Sequence, residues 1–216
     1  RHWGLTTYHL NRAREIFPTD ATLLFYSGTL HESFASPLAQ KCKITATSIT
    51  FYFGSRKQEL ARARHYFGEA VSVQAGYAEA RLRLGRVLGL LGDHPQAVNE
   101  LQSAAAGLTE EELRYYDDLF LGQEQQEVGN MDAARGAFES AARLFPMAQS
   151  PRLSLSLLLR WSDNFPDALT ALAKVISPPA NNNQVDDPLW FYDVWQARNA
   201  NELISEIRRV MGGLPR

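Results

Sequence analysis

Along residues 78–146, small and large apolar positions recur in a fixed order, set apart by polar stretches and turn residues. Ala78-Glu-Ala-Arg-Leu-Arg-Leu-Gly85 is followed by Gly92-Asp93 and then by Ala97, Leu101 and Ala104. The same order returns as Leu121-Gly122, Gly129-Asn130, Ala134, Phe138, Ala141 and Pro146. Gly85 and Gly122, Ala97 and Ala134, Leu101 and Phe138, and Ala104 and Ala141 all lie 37 residues apart. Gly122 and Ser156, Ala134 and Ala168, and Phe138 and Leu172 all lie 34 apart. Several markers shifting together signal a repeated supersecondary unit. Apolar residues at helical spacing on both sides of a Gly-containing turn make that unit helix–turn–helix.

Each marker type has a physical reason. Small residues at Gly85, Gly122, Ser156, Ala97, Ala134 and Ala168 let two helices cross closely, where a large side chain would cost on the order of 1–3 kcal/mol. Leu101, Phe138 and Leu172 fill the space beside those crossings. Asp93, Asn130 and Asn164 stand just before second helices, where a side-chain oxygen can accept from the orphan N–H groups of a first turn. Gly92 and Gly129 suit a left-handed helix end. Ser55-x-x-Gln58 and Thr109-x-x-Glu112 read as capping boxes.

A small residue eight into the first helix, Ala-x3-Phe-x2-Ala in the second and a closing proline resemble the tetratricopeptide repeat, over roughly residues 3–178. The resemblance implies an all-α, right-handed superhelical solenoid with a C-terminal capping segment. The expected division is a solenoid over 1–180 followed by a linker and helical cap over 181–216. Residues 3–18 read as a half repeat lacking its first helix. Its apolar flank near Trp3 is expected either to be covered by upstream sequence or a neighbouring chain, as in a homo-oligomer, or to be a frayed end. Repeats are expected at 21–75, 78–108, 110–146 and 149–178.

The first full repeat is interrupted. Gly28 to Ala63 spans 35 residues where Gly85 to Ala97 spans 12, which places an insertion at about 35–56. Ile44–Phe53 within it is rich in β-branched and aromatic residues and is either a draped loop or a packed extended segment. After Pro178-Pro179, Asp187-Pro-Leu-Trp-Phe-Tyr-Asp-Val-Trp195 and an amphipathic stretch with Leu203, Ile207 and Val210 or Met211 are expected to cap the last repeat, the alternative for Trp190 and Trp195 being a peptide-binding aromatic patch. The pattern from 78 to 211, including this aromatic ending, is similar to tetratricopeptide proteins of soil bacteria. That similarity implies a bacterial protein, cytoplasmic or exported.

Composition narrows the function. The 216 residues are 45% hydrophobic, enough for a continuous core, and carry a net charge of −2, with no basic field to draw nucleic acid. No apolar run approaches the roughly 18 residues of a membrane helix. The chain begins at Arg1 without a Met, which suggests that an export signal or another region precedes it. Cys42 is the single cysteine, and the five histidines show no paired metal-ligand spacing. Asp117 and Asp118 are adjacent and diverge by about 100° on a helix, too far for a paired acid and base. No Gly-rich phosphate loop or nucleophile elbow is present. The reading is therefore no enzyme and no cofactor.

In the family that the chain resembles, first helices of successive repeats line a concave groove that grips a peptide or partner segment. The groove positions carried over are Phe25, Tyr26 and Thr29; Leu82, Arg83 and Arg86; Tyr116, Leu119, Phe120 and Gln123; and Leu157, Arg160 and Trp161. Thr22, Glu32, Glu79, Gln126, Ser150 and Leu153 flank them. Such a floor would suit apolar anchors with one or two acidic groups. The subclass that grips a C-terminal carboxylate uses Lys and Asn. Here the Lys places hold Phe25, Leu82, Leu119 and Leu153, and the Asn places hold Thr29, Arg86, Gln123 and Leu157, which argues against that ligand. The expected function is a non-catalytic adaptor or assembly scaffold for a protein or peptide. The alternatives are a structural or regulatory segment of a larger enzyme or transport complex, and a groove for a small ligand.

Overall fold

The protein is represented by a computed structural model that describes residues 3–40, 53–176 and 187–192, in which every regular element is a helix. In chain order these are α1 (Trp3–Ile16), α2 (Ala21–Ala35), α3 (Arg56–Val73), α4 (Ala78–Leu91), α5 (His94–Ala105), α6 (Glu111–Glu127), α7 (Met131–Leu144), α8 (Ser150–Trp161), α9 (Phe165–Ile176) and α10 (Pro188–Tyr192). Residues 37–40 add a single helical turn after α2. The helices pack as α2 with α3, α4 with α5, α6 with α7 and α8 with α9, and α3, α5 and α7 each pack on the first helix of the next pair.

The small residues do what their spacing predicts. A Cβ at Gly28 would lie 2.6 Å from the Phe67 ring, one at Gly85 2.6 Å from Leu101, and one at Gly122 2.5 Å from Phe138. These are the same contact in three successive pairs, and a methyl group there would push the helices apart. Ala63, Ala97 and Ala134 are fully buried on the opposing helices. The core runs on from pair to pair. One cluster joins Leu24, Phe25, Leu60 and Phe67 to Leu84, Val87 and Leu88, and the next joins Leu82 and Leu101 to Tyr115, Leu119, Phe120 and Phe138.

The turns divide by chemistry. Gly92 and Gly129 adopt φ of 89° and 85°. Asp93 caps α5 through a contact of 3.4 Å to the Gln96 N–H, and Ser55 and Gln58 form a reciprocal capping box on α3. Two expected caps are absent. Asn130 instead donates its amide to Gln125 at 2.9 Å. Glu110 rather than Thr109 occupies the N-cap of α6, with no side-chain capping bond to the first turn, and Glu112 accepts from the Tyr116 hydroxyl at 2.6 Å instead of bonding back. In both places a neighbouring polar side chain outcompetes the helix end.

The ends of the insertion are tied down. Phe53 stacks on Phe34 at 5.1 Å, and the Gln40 amide donates to the carbonyls of Phe34 at 2.8 Å and Gly54 at 3.3 Å. Residues 41–52, with most of the β-rich stretch, lie outside the described residues, as does the Trp3 side chain. α1 packs on α2, and the Arg14 guanidinium lies 4.4 Å over the Tyr66 ring.

The segment after the linker does not sit only at the end of the stack. α10 packs on α6, and Tyr192 reaches α2 and α4. Trp195 and the stretch 201–211, the remainder of the expected cap, lie outside the described residues.

Candidate functional site

The face formed by the first helices α2, α4 and α6 carries a polar centre inside an aromatic frame. Arg83 of α4 donates to Glu32 of α2 at 3.2 Å and to Glu79 one turn earlier at 3.4 Å, and the Arg83 and Glu32 side chains are 7% and 4% exposed. Two charges taken out of water this far are stable only as a pair. Burial pushes the Glu32 carboxyl above its ordinary range, and the facing Arg83 opposes that push. Phe25 supports the arginine from one side at 5.6 Å. Phe25 itself stacks on Tyr77 at 5.0 Å.

Residues 187–192 lie against this face. The buried Asp187 accepts at Oδ1 from the Tyr115 hydroxyl at 2.7 Å and from the Leu189 N–H at 3.0 Å. Its Oδ2 accepts from the N–H of Ser150, the first residue of α8, at 2.6 Å. A carboxylate suits a helix N-terminus, where backbone donors are unpaired and the dipole is positive. The Tyr116 hydroxyl lies 2.9 Å from the Pro188 carbonyl, which competes with Glu112 for its one proton. Tyr192 is 5% exposed. Its ring meets the edges of Tyr116 and Phe120, each at 5.0 Å, and the Arg83 guanidinium lies 5.5 Å from it. Its hydroxyl donates to Glu32 at 2.8 Å, and burial keeps that phenol neutral far above its usual range.

The expected site residues separate into four groups. Phe25, Arg83, Tyr116 and Phe120 converge on Tyr192 and its surroundings and are buried. Leu82 and Leu119 are 1% and 0% exposed and belong to the core, and Thr29 spends its hydroxyl on the Phe25 carbonyl at 3.1 Å. Arg86 is half-buried, with its guanidinium 4.4 Å over Phe120 and a bond of 3.1 Å to Gln123. Tyr26, Leu157, Arg160 and Trp161 are exposed. Arg83 already has two carboxylate partners, Glu32 and Glu79.

Sequence reasoning did not single out Tyr115, and it assigned Asp187 and Tyr192 to a terminal cap. The aromatic-rich ending was visible, but nothing in its spacing said which helices it would meet.

Two stretches, 55–112 and 121–183, match the tetratricopeptide repeat model and together cover more than half of the chain. The chain belongs to the tetratricopeptide repeat family. Solved structures of similar fold include MamA from Desulfovibrio magneticus RS-1, with a TM-score of 0.59 at 16% identity, covering 78% of this chain and 81% of that one. PilF of Pseudomonas aeruginosa gives a TM-score of 0.63 at 16% identity, covering 99% of this chain and 86% of that one. Cut9 in the APC/C hetero-tetramer Cut9–Hcn1 gives 0.56 at 17% identity, covering 92% of this chain and 33% of that one. Comparison with curated proteins gives no match. Tetratricopeptide repeats are in general non-catalytic protein-interaction modules, and this chain is a protein-interaction scaffold in that general sense. Among the described residues, no three His, Cys, Asp or Glu side chains gather as a metal site would require, and no helix is long and apolar enough to cross a membrane.

Proposed function

We propose that this tetratricopeptide protein holds a short segment of a partner protein in the groove formed by α2, α4, α6 and α8. One observation carries the reading. The chain's own residues 187–192 lie on the first three of these helices and at the N-terminus of the fourth, with both ends of the segment hydrogen-bonded. A face that accommodates six residues of polypeptide in this way has the pockets, donors and acceptors that a partner segment needs. The groove runs on along α8, where Leu153, Leu157 and Trp161 recur every four residues and are 41%, 51% and 66% exposed.

The test uses the full chain as bait. Leu157→Ser combined with Trp161→Ser is expected to remove most co-purifying protein, whereas Arg135→Ala in the exposed Arg135–Glu139 pair of α7 leaves it unchanged. Capture that is indifferent to the α8 substitutions would move the interaction off the groove.

A second reading, as a structural segment of a larger assembly, is favoured by the same end of the stack. Phe165 and Leu169 of α9 are also 55% and 65% exposed, so the terminal pair offers apolar surface on both of its helices. In that case the substitutions would shift the size of an assembly rather than the capture of a single partner.

A further inference from the structure

The face of α2, α4 and α6 makes its polar contacts with its occupant at three places, and these define a pattern. The first is a carboxylate. Asp187 is fully buried and takes three donors: the Tyr115 hydroxyl, the Ser150 N–H and the Leu189 N–H. The second is the buried proline, whose carbonyl faces the Tyr116 hydroxyl. The third is the tyrosine five residues after the aspartate, whose ring is held by Tyr116, Phe120 and Arg83 and whose hydroxyl donates to Glu32. The residues between are held less closely. Leu189 and Phe191 are half-buried, and Trp190 is 50% exposed.

Building on the groove reading above, we propose that this face recognises a segment of the form Asp-Pro-x-x-x-Tyr with an unmodified tyrosine. The chain's own residues 187–192 hold the face in reserve for a different protein that presents the same pattern.

The tyrosine and the aspartate of the pattern each have a side-chain cause, while the middle contact is made to a backbone carbonyl. A phenylalanine in the last place would fill the ring pocket but leave the buried Glu32 without one of its donors. A phosphotyrosine would bring negative charge against Glu32, beside an Arg83 that already has two carboxylate partners. An asparagine in the first place would keep the shape but lose the charge that the donors and the helix N-terminus favour.

The source of the competing segment follows from tethering. A second copy of this chain offers the same six residues and so the same intrinsic affinity. The cis segment belongs to the same chain as the face, which gives it an entropic advantage over an identical free segment. A partner displaces it only by adding contacts. The uncovered Leu153, Leu157 and Trp161 lie on the helix whose N-terminus holds the aspartate.

The test titrates an end-blocked, fluorescent Asp-Pro-Leu-Trp-Phe-Tyr peptide into full-length protein and reads its anisotropy. The full chain carrying Asp187→Ala and Tyr192→Ala is expected to bind the peptide at least tenfold more tightly than the unsubstituted chain. Replacing the peptide's tyrosine by phenylalanine, or its aspartate by asparagine, weakens binding to that chain about tenfold, and phosphorylating the tyrosine abolishes it. Circular dichroism reports whether the doubly substituted chain is folded. If it is not, the full chain with Tyr192→Phe, which keeps the ring, serves in its place and is expected to bind the peptide severalfold more tightly than the unsubstituted chain.

Equal affinity of the peptide for substituted and unsubstituted chains, or indifference to the tyrosine and aspartate changes, overturns the pattern. If partner capture still depends on Leu157 and Trp161 in that event, the broader groove reading stands. A chain that dimerises at micromolar concentration, and loses the dimer with Tyr192→Phe, would assign the segment to a second copy and overturn the partner assignment.

Discussion

Leu119 and Leu153 hold the same place in successive repeats, yet Leu119 is fully buried and Leu153 is 41% exposed. One turn later Gln123 is half-buried, bonded to Arg86, while Leu157 is 51% exposed. The repeat position decides which face of the helix a residue occupies. What lies across that face decides its burial. Beside Leu119 stand neighbouring repeats on both sides and the 187–192 segment. Beside Leu153 no later repeat follows among the described residues. The polar residues are inverted as well: the covered region buries Glu32, Arg83 and Asp187, whereas the uncovered one presents leucines and a tryptophan to solvent.

The contrast is broken most severely at Glu32. Glu32→Ala removes one of the two carboxylates that neutralise a buried arginine and the acceptor of the Tyr192 hydroxyl. The expected loss is about 3 kcal/mol of unfolding free energy in urea titration.

Next comes Asp117, which takes the place that Ala80 holds one repeat earlier. It is 2% exposed, its Oδ1 has no hydrogen-bond partner, and burial, helped by Asp118, pushes its carboxyl up to about 8. The folded state therefore holds this proton more tightly than the unfolded chain does. Stability falls as pH rises from the ordinary carboxylate range near 3.8 to about 8. Asp117→Ala is expected to add about 2 kcal/mol at pH 8, little at pH 4, and to flatten the pH profile of the melting temperature.

Tyr192→Phe is smaller. It keeps the aromatic packing and removes one hydrogen bond to a buried carboxylate, for a loss of about 1–2 kcal/mol that thermal melts would register. Smallest is Leu157→Ser, an exposed position, where stability should change by no more than about 0.5 kcal/mol while partner capture drops.

The helices were legible because their signals are local. Glycine at 28, 85 and 122, alanine at 63, 97 and 134, and the left-handed glycines at 92 and 129 follow from close crossings and turns that depend on neighbours in the same unit. The caps that failed, at Asn130 and Thr109, did so where a competing side chain intervened: Gln125 from the preceding helix at Asn130, and Tyr116 one turn on in the same helix at Glu112. The candidate face was legible by helix but not by exposure. Its positions lie on the expected first helices, yet Leu82, Leu119 and Phe120 had no sequence signal to distinguish a core side chain from a groove floor. The occupant was not legible. Tyr192 meets Glu32 across 160 residues, and no local pattern encodes such a contact.

The most direct measurement is a double-mutant cycle between those two residues, comparing Glu32→Ala, Tyr192→Phe and their combination by urea unfolding of the full chain. A segment seated on the first-helix face predicts a coupling of about 1–2 kcal/mol, because each substitution removes the other's partner. Additivity within about 0.3 kcal/mol would contradict it and leave Tyr192 energetically unconnected to the face.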